Sequence, residues 1–487
     1  MKAIIIGAGI AGLSAGILLR ENGIETEIFE MHTLPGGLCT AWRRGGYTFD
    51  GCIRYVYGSG EGRMMHALMR RVGVAGTREF VEHEESIRVE TTGGETVIFH
   101  CDLDRLEAHL LELSPQDAKV IRKLIRDAKS TSRADLPMGT PSNVRDVMTA
   151  MAHFVPQVLK YSGTSMAAFA GSLKSPALRE AFLHYYGYSK LDELPLFALV
   201  MDLAERHARN AGWPLGGSLD LMRDVEKKYV ALGGKVRYGC KVAEILTEGN
   251  RAAGIRLADG ETHKADIVIS AADAYTTLQE MLGGRYTPPA YRDAFRSEEL
   301  IAPILQVSLG IGMDLSHAPH SQAVALREPI EVAGIRYDWL SFKHYGYDKS
   351  MAPQGKSTVV AVLETDFSAW EALSRGSERY RMETESAAAQ VVARLSDRYP
   401  GLADKVEQTD VATPLTWLRY TGNHKGSPQG WQTKPGHMES FPYKLPGLDG
   451  FYMAGQWVRR GGGLPGGAMS ALETVRRICK DNKLRFQ

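Results

Sequence analysis

The chain has 487 residues, a formal net charge of +1, and hydrophobic and charged fractions of 44% and 24%. That balance gives no electrostatic reason to expect nucleic acid, and the length exceeds one usual core, which predicts two domains. Cys39, Cys52, Cys101, Cys240 and Cys479 are scattered with no C-x-x-C, which favours a reducing cytosol and no metal, while no apolar run reaches the roughly 18 residues that span a bilayer.

Ala3 to Ile6 is a short apolar run, as expected of a parallel strand buried on both faces. Gly7, Gly9 and Gly12 follow as G-x-G-x-x-G and lead into a helical stretch, Ala11 to Leu19. Gly7 permits a tight turn, Gly9 lets backbone approach a pyrophosphate, and Gly12 lets helix and strand pack closely. The helix N-terminus then favours phosphate charge. A second strand, Glu25 to Phe29, ends at Glu30, an acid placed to accept hydrogen bonds from a ribose diol near the expected spacing of about 20 residues. Lys2 and its apolar run also resemble a signal peptide, but no A-x-A-like cleavage site follows.

Gly36 and Gly37 come soon after that acid and allow backbone to run beside a pyrophosphate. Arg43 and Arg44 add charge there or form a solvated basic turn, and Phe49-Asp50-Gly51 reads as a turn. Ser86 to Phe99 alternates like a hairpin turning at Gly93-Gly94, and Leu103 to Lys129 is helical. In 143–170, Met148, Met151, Phe154, Val155, Val158 and Leu159 form a helical apolar stripe interrupted by Pro156. Core packing is the favoured reading of that stripe; the rival is a greasy lid or membrane-surface patch. Leu194 to Met201 invites the same two readings.

Trp213-Pro-Leu-Gly-Gly217 precedes a helix over Ser218 to Leu232, with Ser218 as its N-cap. A strand opens after Gly233-Gly234, another includes Val242, a hairpin turns at Asp259-Gly260, and Ala265 to Ala272 reads as a buried strand. Residues 300–312, 333–345 and 357–367 read as strands, with a helix near 377–398. At the tail, Phe451-Tyr-Met-Ala-Gly455-Gln456 and Gly461-Gly-Gly-Leu-Pro-Gly-Gly467 supply a last strand and a glycine-rich helix start.

These blocks, in this order, resemble the flavoprotein family of phytoene desaturases, carotenoid isomerases and retinol saturases, itself related to amine oxidases. The resemblance covers essentially the whole chain and implies FAD. It implies that Gly7, Gly9, Gly12 and Glu30 hold the ADP half, that Gly36 and Gly37 run along the pyrophosphate, and that backbone at Val242 meets adenine. It also implies that the terminal strand enters at Gly455 and that Gly466, Gly467, Ala468 and Met469 face the flavin's pyrimidine edge. A helix N-terminus there stabilises negative charge on reduced flavin. Two positions depart from the family pattern: Leu38 stands where an Arg is common, and Gln456 where an Asp is common.

The expected fold is α/β: a Rossmann-like FAD domain assembled from 1–80, 213–285 and 435–487. Its partner is an α+β substrate domain, 81–212 and 286–434, of mixed sheet and helices with a helical lid near 143–170. The expected activity is hydride movement between flavin and a C–C or C=C bond of a lipophilic isoprenoid-, carotenoid- or retinoid-like molecule, as desaturase, saturase or isomerase. Arg54, Tyr55 and His424 are the candidates for catalytic work, each with a structural alternative. Lys434 is a weaker parallel to the flavin-contacting lysine of amine oxidases, and Trp431 either walls the flavin or sits in a core. Tyr337, Trp339, Tyr345 and Tyr347 line a channel or, more commonly, pack as core. The redox partner is left open among quinone, O2 and nicotinamide, and the expected location is cytoplasmic or peripheral on a membrane's inner face. A flavin amine oxidase is the enzymatic rival, and a non-catalytic prenyl binder of the Rab escort and dissociation-inhibitor type is the rival of another class.

Overall fold

The computed structural model describes residues 1–134, 144–187, 193–437 and 439–487. Position 143, at the edge of the apolar stripe, lies outside the described residues.

A five-stranded parallel sheet runs in the order Lys235–Arg237, Glu25–Phe29, Lys2–Ile6, Ile267–Ser270, Phe451–Met453. Ala3, Ile4 and Ile5 are fully buried because helices cover one face and a meander the other. The helix Ile10–Glu21 packs along the last helix, Gly463–Asp481, and beside Gly217–Ala231. The meander is the predicted three-stranded insertion: Val242–Glu248, Arg251–Leu257 and Thr262–Lys264.

A second sheet has seven strands, ordered Val406–Ala412, Ile304–Ile311, Ser357–Glu364, Ile335–His344, Ser321–Val332, Glu85–Glu90, Thr96–His100. All neighbours are antiparallel except Ser321–Val332 beside Glu85–Glu90. Trp370, Val391 and Leu395 from the helices Phe367–Ser374 and Ser377–Arg398 share its core cluster, and the helices from 103 to 207 form a separate apolar cluster with its Glu85–His100 hairpin. The α/β class with a Rossmann-like sheet and a mixed-sheet partner is what the sequence led us to expect.

Several local readings change. The helix expected over 103–129 is two, Leu103–Leu113 and Ala118–Ser132, because Pro115 lacks an N–H and starts a new turn after Ser114. Strands Ser321–Val332 and Val406–Ala412 were not anticipated; charged residues alternate irregularly along both. Ser218 is not a cap. Gly216 (φ 94°) occupies that position, and the Ser218 N–H and hydroxyl both donate to Asp50, at 2.6 and 2.8 Å. The 143–170 stripe divides at Phe154 into Val144–His153 and Val155–Tyr161, Pro156 being accommodated in a first turn. Phe154 and Val158 pack against the helical core, but Met148, Met151 and Leu159 are 66%, 59% and 77% exposed. Leu196–His207, by contrast, is a buried helix.

Candidate functional site

A groove of about 460 Å³ lies across the carboxyl ends of the parallel strands, where ligands of open α/β sheets bind. Gly7 and Gly9 form its first wall, and Gly36 and Gly37 run alongside, with a main-chain bridge from Gly9 to Gly36 and the Gly36 N–H donating to the Ala8 carbonyl at 2.9 Å. The approach is tight: a Cβ on Gly12 would sit 1.9 Å from the Gly7 carbonyl oxygen, so Gly12 serves packing and does not line the groove. Ile10–Glu21 and Gly463–Asp481 both start at this groove, with Gly9, Ile10, Gly463 and Leu464 in its wall. Two sets of unpaired helix N–H groups therefore face one space, a donor set suited to pyrophosphate and to anionic charge.

Glu30 is buried at the strand end. Its carboxylate accepts the Ala8 N–H at 2.7 Å and the His32 N–H at 2.8 Å, and burial raises its pKa despite those bonds. Each oxygen keeps a further lone pair, and Glu30 lines the groove. Leu38, Val242, Gly455, Gln456 and Gly467 line it too. The Gly455 N–H is held by the Ser470 hydroxyl at 2.7 Å, which ties the last strand to the last helix. Gly466, Ala468 and Met469 lie in the first turns of that helix without walling the groove; Ala468 and Met469 pack into the nucleotide-domain core. A donor-rich trough with a ribose-competent acid at one end fits an extended FAD.

Asp273 also walls the groove, and sequence reasoning missed it. It accepts the main-chain N–H groups of Thr276 and His424, both at 2.9 Å, and burial pushes its pKa up to about 7. Its one available signal was an acid three residues past a buried strand's end. Trp457, Arg419 and Gln429 are further wall residues not singled out beforehand.

The three catalytic candidates do not converge. The His424 ring stacks on Tyr275 at 4.2 Å, its pKa is lowered by burial, and it is not in the groove wall. Tyr55 is partly buried beneath the Arg206 guanidinium, 4.3 Å over its ring, and burial raises its phenol to about 12. Arg54 does face a cavity, a second one of about 50 Å³ next to the groove, with Asp50, Cys52, Gln306 and Lys343. Cys52 lines both spaces. Lys434 is at the surface, 3.2 Å from both Glu193 and Glu299. Trp431 is buried against Phe441 and Trp457. Arg43 and Arg44 are exposed, Arg44 pairing with Asp410 at 3.2 Å. Tyr345 packs on Trp213 at 5.0 Å, and Trp339 stacks on His184 at 3.7 Å.

Comparison with known proteins matches residues 10–479 to the family described as "Flavin containing amine oxidoreductase". The chain is 23% identical to the chloroplastic prolycopene isomerase of Daucus carota, over 98% of this chain and 80% of the carrot protein. It is 25% identical to the lycopene-forming phytoene desaturase of Paracoccus sp., over 98% of this chain and 97% of that one. A solved oxidoreductase from Methanosarcina mazei shares the fold with a TM-score of 0.64 at 19% identity, over 98% of this chain and all (100%) of that one. A flavin-containing family leaves no place for the non-catalytic prenyl-binder reading. This chain belongs to the flavin-containing amine oxidoreductases, and it is an FAD-dependent oxidoreductase of the phytoene desaturase-like kind.

Proposed function

We propose that the enzyme acts on a C–C or C=C bond of a lipophilic, isoprenoid-like substrate, as a desaturase, saturase or isomerase. The observation that carries this reading is the full-length similarity to proteins named for prolycopene and phytoene chemistry. In support, Met148, Met151 and Leu159 present apolar surface to solvent on the helices 144–161, the kind of surface a greasy molecule or a membrane face meets first. Among the described residues no helix is long and apolar enough to cross a membrane.

Bound FAD supplies a hydride acceptor or donor at one ring nitrogen, and the protein's task is orientation. In this reading Gly7, Gly9, Gly36 and Gly37 admit the pyrophosphate, Glu30 accepts from a ribose, and Val242 borders the adenine. Gly455, Gln456 and Gly467 border the flavin end. Residues 1–80, 213–285 and 435–487 act as the cofactor unit, and 81–212 with 286–434 as the substrate unit that excludes water from the reacting bond.

The test uses purified holoenzyme. Oxidised and chemically reduced samples are incubated with phytoene, prolycopene and retinol, and products are weighed by mass spectrometry. Loss of two hydrogens with oxidised enzyme, gain with reduced enzyme, or isomer formation without mass change each supports the reading and identifies the direction. Turnover of primary amines with none of these polyenes altered overturns it in favour of amine oxidation.

A further inference from the structure

The small cavity beside the groove is unusual for where it lies. It sits between the Tyr47–Asp50 strand and the inner face of the seven-stranded sheet, yet it gathers Asp50, Cys52, Arg54, Gln306, Ser321, Ser341 and Lys343. Its apolar walls are Ile304, Phe342, Val360 and Val362, with the Tyr186 ring beside them.

Its charge does not balance. Arg54 and Lys343 bring two cations, and among the described residues Asp50 is the only carboxylate in the wall. That carboxylate is already engaged: it accepts the Ser218 N–H at 2.6 Å, the Ser218 hydroxyl at 2.8 Å and the Cys52 N–H at 3.1 Å. Among the described residues neither Arg54 nor Lys343 is in an ion pair. Lys343 donates to the Ile53 carbonyl at 2.8 Å, and Arg54 to the carbonyls of Tyr186 and Tyr185 at 2.5 and 3.5 Å. An ammonium has three donors and a guanidinium five, so both keep donors to spare. Both side chains are half-buried, and excess positive charge held partly out of water favours an anion that answers it. Burial already pulls the Lys343 pKa down to about 8, with the Asp50 charge opposing and Arg54 reinforcing the fall.

We propose that this cavity is a binding site for a carboxylate, and that the enzyme's lipophilic substrate carries one at its end. The idea rests on the oxidoreductase reading above and specifies its substrate class. Size agrees: about 50 Å³ holds a few water-sized groups at roughly 10–15 Å³ each, room for a carboxylate but not for a hydrocarbon chain. Position agrees as well, since Cys52 borders both this cavity and the cofactor groove. A headgroup anchored here leaves its chain running past the groove. The guanidinium offers the planar fork that carboxylates prefer, and the ammonium adds a point charge. A cationic amine, by the same electrostatics, is repelled.

The experiment titrates holoenzyme with farnesoate and with methyl farnesoate, reading the perturbation of flavin absorbance and, in parallel, binding heat. Farnesoate is expected to bind at least tenfold more tightly than the ester. In Lys343→Met and Arg54→Met that preference should fall to about twofold or less, while Lys343→Arg, which keeps the charge, should retain it. If either Met variant fails to bind FAD, the wild-type acid-to-ester ratio and the Lys343→Arg variant still decide. Equal binding of acid and ester by the wild-type enzyme overturns the proposal, as does a preference unchanged in the Met variants. Turnover of a hydrocarbon polyene alongside equal acid and ester binding would remove the carboxylate site and leave the oxidoreductase reading standing.

Discussion

Ser218 grips Asp50 twice, once through its main-chain N–H at 2.6 Å and once through its hydroxyl at 2.8 Å. This contact fastens the start of the helix Gly217–Ala231 to the end of the strand Tyr47–Asp50, and it does so at the wall of the cationic cavity. Replacing Asp50 by Ala strands a buried N–H and removes the carboxylate charge that faces Lys343. We expect a loss of about 3 kcal/mol of stability, read from urea unfolding of the holoenzyme, and Ser218→Ala should cost less, about 1 kcal/mol. Equal stability of Asp50→Ala and wild type would mean the contact is ornamental.

Two glycines of the first motif should fail differently. A methyl on Gly12 meets the Gly7 carbonyl oxygen at 1.9 Å, main chain against main chain, so Gly12→Ala should lose about 3 kcal/mol or more and accumulate as insoluble protein. A methyl on Gly9 meets only the Gly36 carbonyl oxygen at 3.8 Å, so Gly9→Ala should fold. It should nonetheless bind FAD at least about tenfold more weakly, since in the proposed placement the methyl stands where backbone approaches the pyrophosphate. Circular dichroism and flavin fluorescence quenching separate the two outcomes.

Asp273 carries a pKa raised to about 7 by burial, against 3.8 in an unperturbed aspartate. The folded state therefore holds a proton that the unfolded chain releases, so this group's contribution is complete below about pH 4 and lost as pH rises through 7. The effect on the apoprotein is on the order of 4 kcal/mol at most. FAD affinity should fall over the same window, because an ionised Asp273 repels the phosphates. Asp273→Asn should bind FAD with a Kd that changes less than about twofold between pH 6 and 8; a wild-type Kd equally flat would refute the assignment.

Lys343 provides a separate pH signature, this one for substrate. Its ammonium is present below about pH 8 and the charged groups facing it are Asp50, Arg54 and Cys52 when ionised. Farnesoate binding should weaken as pH rises from 7 to 9, whereas Lys343→Arg, charged throughout, should be nearly level. Matching profiles for both enzymes would place the titration elsewhere.

Lys434 should be dispensable. It bridges Glu193 and Glu299 at the surface, where an ion pair contributes about 0–1 kcal/mol. Lys434→Ala should leave kcat and the flavin spectrum within about twofold of wild type, measured with whichever polyene is turned over.

The nucleotide half of the molecule was readable because its rules are local. Gly7, Gly9, Gly36 and Glu30 follow buried strands at fixed spacings, and the groove does gather them. The tail glycines told the same story from the far end of the chain, with Gly455 and Gly467 in the same wall. What escaped was decided by tertiary contact. Ser218 had the chemistry of a helix cap, but Asp50, 168 positions away, claimed it. Lys343 is one lysine among many in the sequence; only the sheet's register carries it to Ile53, 290 positions distant. Asp273 accepts the main-chain N–H of His424 across 151 positions, while the candidate acid–base ring of that histidine stacks on Tyr275 outside the groove wall. The apolar stripe at 148–159 has a period that serves core and surface equally, and Met148 and Leu159 ended outside.

The sheet beneath the cofactor groove is joined from distant segments: Ala3 pairs with Ile267, and Val268 with Phe451. Gln487 closes on Asn22 across 465 positions. The strand Lys2–Ile6 therefore leaves the ribosome long before Phe451–Met453 can give the trough its second side, and loop closure over such spans is slow. During synthesis the early strands wait with bare apolar faces, the condition under which chaperones are recruited. A ligand that needs both sides of the trough binds only once these distant segments have met, and binding then holds them together.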